Sequence, residues 1–201
     1  MHSEKALDGL YWAGLYDKGS TGWDIGYPAP ALVDFLDHLS DKSLRILIPG
    51  AGRGWEVDYA FRQGFGSVYY LDFAPSAAAL FQKQFPFFPA DQVLVEDFFN
   101  LNETFDLILE HTFFCALHPS KREEWALRCL HLLRPGGRIA GLLFNHEFEH
   151  DGPPYGGVED EYRRLLSSGF DIEVLEICAK SIKPRAKREL IFVARKKSLH
   201  P

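Results

Sequence analysis

The most constraining feature of the sequence is a short apolar run that leads directly into a glycine-rich loop and then into a helix. Residues 45–50 read as a buried strand, and residues 55–64 have the amphipathic pattern of a helix closed by a glycine. Gly50, Gly52 and Gly54 lie between them in a G-x-G-x-G spacing. Glycines at such a junction let the backbone approach a ligand, and the helix N-terminus favours an anionic group. The segment therefore predicts a ligand site at the carboxyl end of a buried strand.

Short apolar runs alternate with amphipathic stretches along the chain, which is typical of a parallel sheet covered on both faces. The further predicted strands are residues 68–73, 93–98, 105–111, 138–145, 170–177 and 189–197, and the further helices are 75–85, 119–133 and 157–169. Only a short basic turn joins the last two strands, so they are expected to pair antiparallel. We therefore predict an α/β fold, with a Rossmann-like seven-stranded, mostly parallel sheet that has one antiparallel strand and helices on both faces.

The length fits one domain over residues 1–201, because 201 residues with 46% hydrophobic composition support a sizeable core and no repeat or linker divides them. Residues 1–44 precede the first strand and contain an aromatic-rich piece at 11–30 and a helix near 29–40. We predict that residues 1–44 form an N-terminal cap over the cofactor site.

Charge and cysteine usage limit the partners and the compartment. The net charge of -6 disfavours a nucleic-acid partner, since such proteins normally carry a basic surplus. Basic residues are concentrated in 178–197, and a solvated hairpin edge is favoured there over a patch for an anionic partner. Three scattered cysteines fit reduced thiols and a cytoplasmic location. No apolar run reaches the ~20 residues of a membrane helix, and the N-terminus lacks a signal-peptide pattern.

Two acidic residues follow later predicted strands. Asp72 ends the second strand, about 20 residues beyond the loop, which is the spacing at which a carboxylate meets ribose hydroxyls. Asp97 stands at the end of the third predicted strand. The glycine loop and the two acids together resemble the class I S-adenosylmethionine-dependent methyltransferases.

The N-terminal residues make the resemblance more specific. Trp12, residues 23–26 and Pro28 are similar to the tryptophan-bearing leader of the thiopurine methyltransferase family, and within it to the thiol and halide (thiocyanate) methyltransferase branch. Further matches lie at residues 96–99, 110–117, 133–137 and 152–155, in the family order, so that the resemblance runs from about residue 11 to residue 197.

The resemblance implies S-adenosylmethionine as cofactor, with contacts from Trp12, Tyr16, Trp23, Gly50, Gly52, Asp72, Asp97, Phe98 and His111. The first three are expected to close over the methionine end, where aromatic faces suit a sulfonium cation. The glycines would let the backbone approach the amino-acid end, Asp72 would accept from the ribose, and Asp97 with Phe98 would hold the adenine. His111 replaces the aromatic residue that is more usual at its position.

The resemblance also implies roles for Tyr155 and Arg122. Tyr155, in the loop after the fifth predicted strand, is the implied substrate contact. Arg122 is either a cofactor-proximal arginine, as in thiopurine-type members, or part of a solvated helix face. Residues 146–150 match the zinc pattern H-E-x-x-H, but Pro153 and Pro154 follow so soon that no helix can present both histidines. No metal is therefore predicted.

The function implied is methyl transfer by in-line displacement to a small soft nucleophile, namely a thiol, bisulfide, thiocyanate or halide ion. Such acceptors need positioning more than a general base, so no catalytic residue is assigned. An aromatic thiol, as in thiopurine-type enzymes, and a cofactor-binding protein without turnover remain alternatives. A nicotinamide oxidoreductase is disfavoured, because its pattern is G-x-G-x-x-G. The protein is expected to be a monomer that acts on small molecules.

Overall fold

The computed structural model describes residues 7–198 and contains one seven-stranded sheet. The strands are β1 Arg45–Pro49, β2 Ser67–Leu71, β3 Val93–Leu94, β4 Phe105–His111, β5 Leu133–Phe144, β6 Phe170–Ile177 and β7 Glu189–Lys196. Their order is β3-β2-β1-β4-β5-β7-β6. The strands from β3 to β5 pair in parallel, and β7 pairs antiparallel with both β5 and β6. The predicted mostly parallel sheet with one reversed strand is confirmed.

Helices cover the sheet and precede it. They are α1 Gly9–Asp17, α2 Pro30–Asp37, α3 Trp55–Arg62, α4 Pro75–Gln84, α5 Arg122–Leu132 and α6 Glu159–Ser167. The aromatic-rich N-terminal piece contains the short α1, whose first turn is capped by Asp8 through the backbone N–H of Tyr11 at 2.9 Å. No helix between residues 7 and 198 has the length and apolar character needed to cross a membrane.

The sheet extends from β1 in both directions, with β2 and β3 on one side and β4 and the later strands on the other. The glycine loop after β1 therefore lies where the strand order reverses. Strand β1 has β2 on one side and β4 on the other, so their crossovers diverge and leave a crevice at the carboxyl ends. Ile46, Leu47 and Ile48 of β1 are buried, which fits a strand enclosed on both faces. The glycine loop after β1 and the residues after β4 therefore meet at one edge of the sheet.

Two predicted strands have a boundary that is wrong by more than two residues. Strand β3 is only two residues long, because Asp97 turns the chain: its carboxylate accepts the N–H of Phe99 at 2.9 Å, and its carbonyl accepts the N–H of Asn100. Asp97 thus lies in a turn beyond the strand. Strand β5 begins at Leu133 instead of residue 138, since a bulge in its pairing with β4 accommodates the glycine-containing segment 134–137.

Candidate active site

The glycine loop is covered so closely that side chains could not replace its glycines. Gly50 and Gly52 have φ angles of 58° and 54°, a left-handed conformation that glycine adopts readily. A Cβ atom at Gly52 would lie 2.5 Å from the hydroxyl oxygen of Tyr16, and one at Gly50 would lie 2.6 Å from the ring of Phe113. The glycine loop therefore packs directly against Tyr16 of α1 and against Phe113, which follows β4.

Asp72 follows β2 directly and ties the glycine loop to the next loop. Its two carboxylate oxygens accept the N–H of Gly52 at 3.0 Å and the N–H of Ala74 at 2.9 Å. Burial raises the pKa of Asp72, although these two backbone donors partly oppose the shift. A carboxylate has about four lone-pair positions, so each oxygen retains capacity for a further donor.

Three aromatic side chains from the N-terminal region form one group over the loop. The ring of Trp23 meets the ring of Trp12 edge to face at 5.3 Å and the ring of Tyr16 at 5.7 Å. The carbonyl of Trp23 also accepts a hydrogen bond from Arg185 at 3.1 Å, which fixes this segment to the far end of the chain. The structure therefore brings together the three aromatic residues that the sequence assigned to the cofactor.

A narrow cleft of about 40 Å³ lies along the glycine loop. Its walls include Gly50, Gly52, Arg53, Glu56 and His111, as well as Trp23 and Thr112. Within it, His111 Nδ1 lies 2.8 Å from Glu56 Oε1, and both side chains are about nine-tenths buried. Burial lowers the pKa of His111, but the charge of Glu56 and the hydrogen bond to it outweigh burial, so the pKa is raised.

A second, larger cavity of about 390 Å³ adjoins the cleft, and Trp23 and Thr112 line both. One part of its wall is apolar and is formed by Phe144, Phe148, Pro153, Pro154 and Cys115; another part carries Arg185, Arg188 and His146. Thr112 has a φ angle of 63°, which is unusual for a β-branched residue. The site thus consists of a cleft and a cavity that meet at Trp23 and Thr112.

Arg185 departs from the interpretation of segment 178–197 as a solvated hairpin edge, whereas Lys183, Lys187 and Arg188 are exposed as that interpretation predicts. The Arg185 side chain is only 14% exposed, lies 5.4 Å from the ring centre of Phe144, and contacts Glu189 Oε1 at 3.4 Å. Arg188 donates to His146 Nε2 at 2.5 Å, and burial together with Arg188 lowers the pKa of His146. Two cations of the basic turn therefore face the cavity.

Three predicted contacts, Asp97, Phe98 and Tyr155, line neither space, and the same is true of Trp12, Tyr16 and Asp72. Phe98 is buried and packs edge to face against Phe99 and Phe113, while Asp97 is partly buried in its turn. The ring of Tyr155 lies against His118, and its backbone N–H donates to the Cys115 carbonyl at 2.6 Å. The prolines before Tyr155, rather than Tyr155 itself, line the cavity. The binding roles of these residues stay predictions.

Arg122 does not lie on a solvated helix face, so that interpretation is wrong, while its role near the cofactor stays a prediction. It is buried, its guanidinium lies 2.5 Å from Glu161 Oε1, and it donates to the carbonyl of Gly156 at 2.6 Å. It therefore joins α5, α6 and the loop that follows β5.

We expect Arg122→Met to lower the free energy of unfolding by about 2–3 kcal/mol, because it removes a buried cation that pairs with Glu161 and satisfies a loop carbonyl. The pair Arg163–Glu159 is exposed on α6, so Arg163→Met should change stability by less than about 0.5 kcal/mol. Urea unfolding of both variants measures the difference. Equal effects would contradict a structural role for Arg122.

The sequence analysis missed several side chains of the site. Glu56 has the sequence position of an ordinary first-turn acid of α3. The only signal in the sequence was its place directly after the glycine loop. Arg185 and Arg188 belong to a turn whose composition alone is that of a solvated surface. Residues 146–150 form no helix, as the following prolines predicted.

Comparisons with known proteins agree with this geometry. The family model for thiopurine S-methyltransferase (TPMT) matches residues 7–198. The "Probable thiol methyltransferase 2" of Arabidopsis thaliana is 36% identical over 177 residues, covering 85% of this chain and 77% of the relative. The "Thiocyanate methyltransferase 1" of Brassica oleracea is 32% identical over 184 residues, covering 89% and 81%. The solved 1,6-didemethyltoxoflavin-N1-methyltransferase of Burkholderia thailandensis, with S-adenosylhomocysteine bound, superposes with a TM-score of 0.71 at 24% identity, covering 96% and 88%.

The sheet order, the glycine loop and the adjoining cleft define a Rossmann-like methyltransferase. Since the family model spans nearly the whole chain, the chain belongs to the thiopurine S-methyltransferase family and is an S-adenosylmethionine-dependent methyltransferase.

Proposed function

We propose that the cleft holds the methionine end of S-adenosylmethionine and that the larger cavity holds the methyl acceptor. The close-approach glycines Gly50 and Gly52 fit the amino-acid end, and Asp72 retains acceptor capacity for the ribose hydroxyls. The aromatic group of Trp12, Tyr16 and Trp23 would lie over the sulfonium, which aromatic faces attract. Asp97 and Phe98 would hold the adenine, beyond β3.

The acceptor class that we propose is a small soft nucleophile: a thiol, bisulfide, thiocyanate or halide ion. The observation that carries this proposal is the pair of arginines that line the cavity together with apolar and aromatic side chains. A soft anion is weakly hydrated and suits such a surface, since Arg185 and Arg188 supply positive charge while Phe144 and Phe148 exclude water.

The mechanism that follows is direct displacement. The cofactor supplies an activated methyl group on a sulfonium. The chain's residues bind the anion near the junction of cleft and cavity, at Trp23 and Thr112, and align it with the methyl carbon at roughly 3–3.5 Å. An ionised soft nucleophile has no proton to lose before it attacks, so no residue needs to act as a base.

Release of S-adenosylhomocysteine by the purified protein tests the acceptor class. Bisulfide, thiocyanate, iodide and an aromatic thiol would be supplied singly, with a reaction without acceptor as the control. We expect turnover with the small anions. Turnover with the aromatic thiol alone would contradict the small-anion proposal, and silence with every acceptor would favour a binding protein without turnover.

The aromatic thiol remains the second candidate because the cavity volume favours it. About 390 Å³ exceeds what a triatomic ion needs, and the rings of Phe144 and Phe148, 5.0 Å apart, can contact a planar acceptor. If this candidate is correct, truncation of Phe148 to alanine will raise the KM for the aromatic thiol and leave thiocyanate turnover unchanged.

The absence of a base predicts two different pH profiles. At saturating S-adenosylmethionine, we expect kcat with iodide to be nearly flat between about pH 6 and pH 9, because iodide does not titrate. Turnover with a thiol should rise as the thiol ionises. Initial rates over this range provide the measurement, and a steep dependence with iodide would indicate a titrating catalytic group.

We further propose that residues 1–201 form one domain, with residues 1–44 as its cap, and that the protein works as a cytoplasmic monomer without a nucleic-acid partner. The contacts from α1 to the glycine loop and from Trp23 to Arg185 support the cap. Light scattering coupled to size-exclusion chromatography tests the oligomeric state, and a mass near twice 22.9 kDa would contradict it.

A further inference from the structure

His111 stands out in the cleft because one of its two ring nitrogens has no protein partner. Nδ1 contacts Glu56, whereas Nε2 is buried and makes no hydrogen bond within residues 7–198. A buried polar atom without a partner is costly, so a native structure that retains one usually reserves it for a ligand or water. His111 lines the same cleft as Gly50 and Gly52.

Glu56 determines whether the Nε2 atom of His111 acts as a hydrogen-bond donor. Its Oε1 atom also accepts the N–H of Ala29 at 3.0 Å, which anchors the carboxylate at the start of α2. Burial raises the pKa of Glu56, but His111 and the backbone donors outweigh it, so the carboxyl stays ionised. An ionised partner on Nδ1 favours the doubly protonated ring, in which Nε2–H is a cationic donor.

We propose that His111, held as an imidazolium by Glu56, binds the carboxylate of the cofactor's methionine moiety. Arg53 lines the same cleft, and its Nε atom is likewise buried and has no hydrogen-bond partner within residues 7–198, so it provides a second cationic donor for the same group. The assignment rests on the proposed placement of S-adenosylmethionine in this cleft. His111 is thereby a binding residue with a titratable charge, and Glu56 is the residue that positions it.

The proposal makes cofactor affinity pH-dependent. Because the pKa of His111 is raised, the imidazolium and its bond to the carboxylate are present at lower pH and are lost as pH rises through that pKa. The other charged groups near His111 are Glu110 on β4, Arg185, and the ion pair of Arg53 and Asp24 in the same cleft, whose Nε–Oδ2 distance is 4.0 Å. Burial raises the pKa of Glu110 to about 7, so Glu110 titrates in the same range and has to be separated by experiment.

The experiment is calorimetric binding of S-adenosylhomocysteine to the full chain between about pH 6 and pH 9, with no acceptor present. Wild-type affinity should fall by tenfold or more across this range, roughly the value of one charge-assisted hydrogen bond. His111→Gln keeps an uncharged donor and leaves Glu110 in place. Its affinity should be weak at pH 6 and nearly independent of pH. His38→Gln, at the exposed C-cap of α2, is the matched control and should retain the wild-type profile.

Two further comparisons separate a carboxylate contact from a structural role. The decarboxylated analogue of S-adenosylhomocysteine should bind wild type and His111→Gln equally, with no pH dependence in this range. Glu56→Gln keeps the acceptor for Ala29 but removes the charge, so the pH midpoint for S-adenosylhomocysteine should move lower. An unmoved midpoint, or equal sensitivity of both ligands to His111→Gln, would overturn the proposal.

The outcomes also distinguish this inference from the proposed function. Tight, pH-independent binding of S-adenosylhomocysteine that His111→Gln leaves unchanged contradicts the His111 assignment alone. Failure of the wild type to bind at any pH contradicts the cofactor placement, and both proposals fail with it.

Discussion

Replacing Asp72 by alanine should weaken S-adenosylhomocysteine binding by roughly a hundredfold or more, the largest effect on affinity that we expect from a single side chain. The carboxylate holds the N–H groups of Gly52 and Ala74 and retains acceptor capacity for the ribose. Each hydrogen bond to a charged group contributes about 1.5–3 kcal/mol, so two ribose contacts account for such a loss. Calorimetry with the purified variant measures it directly.

Asp72→Ala also leaves two backbone donors unpaired, so a second variant separates binding from folding. Asp72→Asn keeps one acceptor oxygen and should fold with a smaller loss of stability, yet bind S-adenosylhomocysteine at least tenfold less tightly. Asp91→Ala, at an exposed acid before β3, is the matched control and should bind like wild type. Normal affinity in the Asp72→Asn variant would contradict the ribose contact.

Replacing Arg185 by methionine should lower kcat/KM for thiocyanate and iodide by about 30- to 100-fold, because a nearly buried cation on the acceptor cavity is lost. S-adenosylhomocysteine affinity should change much less than anion turnover, since Arg185 lines the cavity and reaches the cleft only through its bond to the Trp23 carbonyl and its charge near His111. Steady-state rates with each anion, alongside the calorimetric affinity, provide the two readouts.

Arg185 also donates to the carbonyl of Trp23, so its charge and its positioning role have to be separated. Arg185→Lys keeps the charge and should recover a large part of the anion turnover, although lysine lacks the planar guanidinium. Lys183→Gln removes an exposed cation from the same turn and serves as the control. If Arg185→Met and Lys183→Gln have equal effects, general electrostatic attraction explains the result and a specific anion contact does not.

The sequence predicted the architecture because each element carries its own periodic signal. The apolar run of β1, the glycines that follow it and the helix α3 are local features, and their alternation with later elements defines the sheet. The boundaries failed where a single side chain or a bulge changed the backbone. Asp97 turns the chain three residues beyond the end of β3, and the pairing of β5 with β4 begins before the bulge at 134–137.

The residues of the site were predicted in two ways: Trp12, Tyr16, Trp23 and His111 from the family resemblance, and others from their neighbours in sequence. Gly50, Gly52 and Asp72 stand next to strand ends and were found this way. The Glu56–His111 contact joins residues on different elements, and the bond from Arg185 to Trp23 spans 162 positions. No local pattern carries such pairings, because they depend on how α3, β4 and the final turn pack together.

Our main proposal is the transfer of the methyl group of S-adenosylmethionine to a soft anion in the cavity beside Trp23 and Thr112. Its most direct test is mass spectrometry of the volatile product formed by the purified protein from S-adenosylmethionine carrying an isotopically labelled methyl group. With bisulfide, iodide or thiocyanate, we expect labelled methanethiol, iodomethane or methyl thiocyanate, respectively. Failure to form any of these products while S-adenosylhomocysteine binds tightly would contradict the claim.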